Sequence, residues 1–235
     1  MLSDRILFID GEALILDKPA GLPVDSPRDR SPSVESMLDE LTFGFKRVPL
    51  PVHRLDRDTS GCLLLARNPK AHKRFQQAFE QGLVTKKYLA VLDGVPDDAT
   101  GTVDMALIKV STAETGWRMV GDPQGKRAVT HWEVLREHQG RALVAFTPET
   151  GRTHQIRVHA SHGMGIPIVG DPVYGRADQR LVMLLHAVEL SVPREGKPPV
   201  AATSDLPERF ALAGFGPAPV ASAEPSDQPS DPAGV

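Results

Sequence analysis

The chain predicts an α+β fold: a mixed, mostly antiparallel β-sheet with a few flanking helices. Three observations carry that expectation. Short runs rich in β-branched and aliphatic residues dominate the 235 residues, and such runs suit pleated, half-buried strands. Helix start signals or helical apolar spacing occur in only three places. Those helices do not alternate regularly with the strands, which disfavours a doubly wound parallel sheet.

In chain order, Asp10-Gly11 between apolar runs at 5–10 and 13–17 predicts a hairpin. The loop Lys18-Pro19-Ala20-Gly21-Leu22-Pro23 follows it. Ser31 as N-cap and Pro32 as first helical residue stand ahead of Val34, Met37, Leu38 and Leu41, the stripe of an amphipathic helix. A strand is expected at 62–66. Asn68-Pro69 repeats the helix start, with Ala71, Phe75, Ala78 and Phe79 on the buried face and Gly82 as the stop. Further strands are expected at 86–92, 128–136, 142–147 and 184–192, and a third, shorter helix near 153–160. Residues 217–235 hold five prolines, four alanines, three serines and no aromatic residue. Such a stretch has nothing to bury and reads as a disordered tail. Residues 1–216 then read as one domain.

Composition narrows the function. At 40% hydrophobic and 24% charged the chain is an ordinary globular one. No run approaches the roughly 20 apolar residues of a membrane span, and acids interrupt the N-terminal stretch where a signal peptide is apolar. A cytoplasmic protein with no membrane partner is expected. The single cysteine, Cys62, makes neither an internal disulfide nor a cysteine zinc site. His159-x-x-His162 stands without the glutamate and third ligand of a zinc protease. With no Gly-rich phosphate loop and no G-x-S-x-G elbow either, no metal and no nucleotide cofactor is expected.

The net charge of -3 argues against a nucleic-acid partner, but the charge is uneven. Residues 46–90 carry ten bases and three acids. A local basic stripe binds anions whatever the total, because screening acts over about 8–10 Å. A solvated Lys/Arg helix face explains part of the same count, and on charge alone the two readings balance.

Two segments are polar where their neighbours are apolar. Residues 52–61, VHRLDRDTSG, interleave aspartates with arginines. Adjacent guanidinium groups favour the ionised carboxylate, which suits a nucleophile or base and not a general acid. The alternative is a turn in which Asp58, Thr59 and Ser60 cap backbone groups; for Asp56 the two readings balance. Residues 148–159, PETGRTHQIRVH, offer Arg157 either as a carboxylate partner or as a surface arginine. Tyr88 is either a core-edge residue or a ring that stacks on a nucleobase beside the basic block.

HRLDRDTSGCLLLA, TKKYLAVL, PETGRTHQIRVH, GIPIVGDPVYG and LLHA, in this order, closely resemble the RluA-type pseudouridine synthases, which convert a uridine within RNA to its C-glycoside isomer. The likeness runs from about residue 12 to residue 192. It implies the pseudouridine synthase fold, with Asp56 as catalytic nucleophile, Arg157 as its ion-pair partner, and Tyr88 stacked on the target uracil. It further implies that Arg54 fills the gap left by a flipped base and that Leu185 lines the pocket. The expected RNA- and base-binding set is Arg54, His53, Leu185, Lys70, Lys73, Arg74 and Lys86. The expected partner is a structured rRNA or tRNA stem-loop, met by a monomer. The first strand leaves no room for the S4-like module of many relatives, so the catalytic domain is expected to bind RNA itself. Two other readings stand beside this one: a non-catalytic RNA-binding factor, and a hydrolase using Asp56 with His53 or His154.

Overall fold

Asp10 closes the first hairpin with its own side chain, Oδ1 accepting the amides of Glu12 and Ala13 at 2.8 and 2.9 Å. That local bonding is what makes Asp a turn residue. From it run β1 (Ile6–Ile9) and β2 (Ala13–Lys18), antiparallel as expected. The computed structural model describes residues 1–112, 116–176 and 181–216; the tail expected at 217–235 lies outside the described residues.

Next to β2 lies β4 (Ser60–Ala66), buried at every position, with β3 (Leu50–Pro51) paired to its far end. β5 (Thr85–Leu92), β6 (Thr100–Asp104), β9 (Val129–His138), β10 (Arg141–Pro148), β11 (Leu185–Arg194) and β12 (Lys197–Thr203) complete one ten-stranded sheet. Its order is β1-β2-β4-β11-β5-β10-β9-β6, with β12 beside β11. Among the described pairings, β4 with β11 is the parallel one, so the sheet is mixed and mostly antiparallel, as the sequence predicts. Gly61 makes that pairing possible. Its φ is +104°, and a Cβ there would collide with the backbone carbonyl of Ala187. A separate hairpin, β7 (Leu107–Thr112) with β8 (Gly116–Gly121), stands off the sheet.

α1 (Pro69–Glu80) forms where its signals place it, with Asn68 Oδ1 accepting the Ala71 amide at 2.9 Å. The first expected helix is corrected. It is a 3₁₀ helix, Glu35–Leu41, and starts after Ser31 and Pro32. The amides of Val34 and Glu35 bond back to Pro23 and Val24 carbonyls at 2.9 and 3.1 Å, so the preceding loop takes the donors that a cap would satisfy. Its stripe is still the buried one: Val34, Leu38 and Leu41. The third helix is α2 (Gln155–Val158), continued by a π-helical turn at His159–Gly163. Sequence reading misses β3, β6, β7, β8, β12 and a short α3 (Glu208–Leu212). β6 alternates exposed and half-buried positions, and β12 contains Pro198 and Pro199, which a sheet tolerates because β12 lies outside the main strand path.

Apolar side chains cover both faces. On one face Leu14, Leu16, Leu63, Leu65 and Ala187 pack against the 3₁₀ helix, while Ala90, Leu92, Val144, Phe146 and Leu185 pack against Ile156 and Ala160 of the α2 segment. Tyr88 touches both groups. On the other face Cys62, Leu64 and Ala66 meet Ala71, Phe75 and Ala78 of α1, and Leu89, Val91, Leu143 and Ala145 meet Phe210 and Phe215.

Candidate active site

A cleft of about 910 Å³ opens where the 52–59 loop, the 148–157 segment and the middle strands meet. The loop is pinned from below. Lys18, fully buried at the end of β2, donates through Nζ to the carbonyls of Pro19, Leu22 and Arg57 at 2.9, 2.7 and 3.0 Å. Burial pulls its pKa down to about 7, against the attraction of Asp58 and Asp56. Three acceptors match the three protons of an ammonium, whereas a neutral amine has only two, so the cage selects the charged form.

Asp56 ends in this cleft with its side chain one-quarter exposed, and its Oδ2 accepts from Arg157 Nη1 at 2.9 Å. Arg157 is almost wholly buried on α2. Its Nε and Nη2 donate to Asp171 Oδ2 and Oδ1 at 2.7 and 2.8 Å, a bidentate pair. Asp171 has no exposed side-chain surface, and its Oδ1 also accepts the amides of Val173 and Tyr174 at 2.8 and 3.0 Å. Burial alone would push Asp171 up; the guanidinium and the two amides outweigh it and hold the carboxyl below its usual range. Burial likewise opposes the Arg157 charge, and the carboxylates of Asp171 and Asp56 more than restore it, so its pKa is raised. One cation thus sits between two carboxylates. The trio keeps a net negative charge, and Asp56 is its accessible end.

Tyr88 and Leu185 line the same cleft from β5 and β11. Burial, then the neighbouring Asp56, raises the Tyr88 pKa, so the phenol stays protonated. Arg54 also lines the cleft, exposed and paired with Asp25 at 2.5 Å. His53 stacks on Phe79 with ring centroids 4.7 Å apart, and its Nε2 accepts the Leu64 amide at 3.0 Å. Burial, then Lys86, lowers its pKa to about 3, so the ring is neutral. Lys86 lines the cleft with its Nζ 3.5 Å from the Thr150 carbonyl, and burial lowers its pKa too.

The expected set is therefore brought together except on α1. Only Phe79 and Glu80, at the C-terminal end of that helix, reach the cleft. Lys70 and Lys73 are exposed nearer its start, about 9–13 Å away along a helix axis rising ~1.5 Å per residue. Arg74 is bonded to Glu12 at 2.7 Å, and Glu12 also meets Arg194 and Lys197. Of the histidine pair, His159 Nε2 lies 3.2 Å from the Met105 carbonyl, while His162 stands edge-on to Tyr174.

Sequence reading passes over Lys18, Asp171 and Trp117 as site residues. Trp117, on β8, lines the cleft half-exposed, 5.0 Å from the His154 ring. The signal available for Asp171 is a lone acid inside GIPIVGDPVYG, flanked by turn residues. Nothing local identifies Arg157 as its partner, 14 positions away.

The model of the RNA pseudouridylate synthase family matches residues 12–162, and the chain belongs to that family. It is an isomerase acting on RNA, a pseudouridine synthase. Among its relatives, an uncharacterized RNA pseudouridine synthase of Zymomonas mobilis is 58% identical over 92% of this chain and 99% of its own length. Ribosomal large subunit pseudouridine synthase D of the same organism is 35% identical over 78% of this chain, which spans 60% of that relative. A solved structure, human RNA pseudouridylate synthase domain containing 4, superposes with a TM-score of 0.76 at 27% identity, over 89% of this chain and 91% of that one.

Proposed function

We propose that this enzyme isomerises a specific uridine in structured ribosomal or transfer RNA, with Asp56 as nucleophile and the target base flipped out of its stack. The observation that carries the reading is the trio Asp56–Arg157–Asp171, with an ionised carboxylate presented to a cleft by a buried, doubly paired guanidinium. An anionic side chain in an RNA-binding cleft opposes binding of phosphate, so its value lies in chemistry. The isomerisation breaks the N1–C1′ bond, turns the freed uracil, joins C5 to C1′ and releases the C5 proton to solvent while N1 takes one up. A carboxylate that attacks C1′ or C6 splits that change into two easier steps.

A base within a stack is out of reach of such a nucleophile, so it is extruded into the pocket. Tyr88 supplies an aromatic face and Leu185 an apolar wall beside Asp56. Arg54, at the cleft rim, is long enough to fill the vacated place in the RNA stack, exchanging Asp25 for phosphate or base contacts. His53 and Lys86 contact the RNA from the cleft wall, and Lys70 and Lys73 extend the positive surface along α1. Arg74 contributes there through the ion cluster around Glu12. Residues 1–216 make up the catalytic unit. The proposal extends to a monomer that works in the cytoplasm.

The test is tritium release from tRNA and rRNA pools labelled at uridine C5, with wild type and Asp56→Asn side by side. Release by the wild type alone is expected. Equal release by the variant, or none by either protein, overturns the reading.

A further inference from the structure

His154 has a non-glycine backbone in the left-handed region, φ +53°, immediately before α2. Such a conformation is unfavourable by about 1–2 kcal/mol for an L-residue, and it persists where surrounding contacts impose it. Those contacts are specific. Nδ1 lies 2.9 Å from the Tyr174 hydroxyl, and that hydroxyl oxygen accepts the backbone amide of Met119, on β8, at 3.0 Å. The other ring nitrogen, Nε2, faces Asp56 Oδ2 at 3.8 Å. Trp117, also on β8, lies over the imidazole.

One hydrogen-bond direction in this chain is fixed by chemistry. The Met119 amide is a donor, so the Tyr174 oxygen is its acceptor, and among the described residues His154 Nδ1 is the partner toward which the hydroxyl proton can turn. Nδ1 as acceptor leaves the ring proton on Nε2. Burial, opposed by Asp56 and aided by Arg157, keeps the ring pKa below its ordinary value, so the imidazole is neutral near pH 7. A neutral ring with N–H at Nε2 directs a positive dipole end at the carboxylate. At 3.8 Å this is an electrostatic contact and not yet a hydrogen bond; catalytic contacts of this kind commonly tighten once substrate is bound.

We propose that His154 is a positioning residue for Asp56. The Tyr174 hydroxyl fixes its Nε2–H tautomer, and with Arg157 it holds Oδ2 so that Oδ1 faces the substrate. Because the chain of contacts begins at Met119 and Trp117, β8 is coupled through this brace to the nucleophile. The inference rests on the assignment of Asp56 as nucleophile.

The experiment has two arms. The first is independent of turnover: ¹⁵N spectra of histidine-labelled protein report which His154 nitrogen carries the proton. Wild type with the proton on Nε2, and a shift toward the other tautomer in Tyr174→Phe, are expected; a proton on Nδ1 in the wild type overturns the proposal. The second compares single-turnover rates and RNA affinities of His154→Leu, His154→Gln and Tyr174→Phe. His154→Leu is expected to lose about ten- to hundredfold in rate at saturating enzyme with unchanged RNA affinity, the scale of a misoriented reacting group. His154→Gln, which keeps an amide N–H, is expected to recover most of that loss. A full rate in His154→Leu, or a Gln variant no faster than Leu, overturns it. Asp56→Asn run alongside separates the two ideas: its retained turnover sinks the nucleophile, while its inactivity beside an unaffected His154→Leu sinks the brace alone.

Discussion

Asp171→Asn is the substitution that best tests whether the buried trio is assembled as described. The amide is nearly isosteric, so volume is unchanged. Its oxygen can keep the Val173 and Tyr174 amides and Arg157 Nη2, all now on Oδ1. The NH₂ then takes the place of Oδ2 and faces the Arg157 Nε–H at the 2.7 Å now spanned by an ion pair. One charge-assisted bond is lost and two donors are opposed, in surroundings that water does not reach. Breaking a buried pair from one side costs about 3–5 kcal/mol. Asp56 still balances the guanidinium, which puts the expected loss near the lower end, ~3 kcal/mol. With a urea dependence of about 2 kcal/mol per molar, the unfolding midpoint should fall by roughly 1.5 M. The assay is urea unfolding at pH 7 followed by far-ultraviolet circular dichroism, with the slope checked for constancy. A midpoint that stays within about 0.2 M of wild type would refute the pairing.

Gly61→Ala should destabilise by at least about 2 kcal/mol, since it adds left-handed strain to a backbone collision at the parallel pair; an unchanged thermal midpoint would contradict that geometry. Acid should weaken the fold well before carboxylates protonate. His53 and His186 have folded pKa values of about 3 and about 4, against ~6.5 unfolded. The unfolded chain therefore binds more protons below pH 6.5, so stability falls as pH drops, by up to ~1.4 kcal/mol per pH unit for each ring. Urea midpoints measured at pH 7, 6 and 5 should fall in that order, and His186→Asn should flatten the trend; a level profile would contradict it. Reversing Lys70 and Lys73 together should reduce the salt dependence of RNA binding by about 0.7–0.9 per lost phosphate contact, and an unchanged slope would remove α1 from the interface.

How much was legible in advance depends on the distance over which each signal acts. The first hairpin and α1 depend on bonds spanning two or three residues, Asp10 to Ala13 and Asn68 to Ala71, and the sequence shows them. The 3₁₀ helix depends on the Pro23 and Val24 carbonyls capturing amides eleven positions on, which no local motif announces. β12 is hidden by its prolines and β6 by its exposed side chains. In the site, residue type alone left Asp56, Tyr88 and Arg157 open; the family resemblance singled them out, and the structure brings all three to one cleft. The partners that fix their states were not readable: Asp171 clamps Arg157, Lys18 pins the Arg57 carbonyl 39 positions away, and Glu12 occupies Arg74 across 62. A basic block counted in sequence overstates the charge free to meet RNA, because several members are already paired.

The sheet explains why the site lies where it does. β4 and β11 run parallel, with Ser60 beside His186 and Gly61 beside Ala187, so the loop that enters β4 and carries Asp56 lies beside the start of β11, where Leu185 is. β5 runs antiparallel on the next side, and its register sets Tyr88 against Ala187 and Phe146. Leu185, Ala187 and Tyr88 therefore share one face, the face across which α2 is packed through Ile156. Arg157 follows Ile156 directly, so burying one residue delivers the other to Asp56. A hydrogen bond spanning 101 positions thus needs no recognition between its two residues during folding. It follows from one parallel pairing, one glycine that permits it, and one short helix held on the sheet by its apolar neighbour. Ile156→Ala should then lower turnover as well as stability, because it loosens the helix that delivers the guanidinium, whereas the equivalent truncation of Phe210 on the opposite face should lower stability alone. Equal turnover losses per unit of lost stability in both variants, measured by tritium release and urea unfolding, would show that α2 packing has no special part in positioning Asp56.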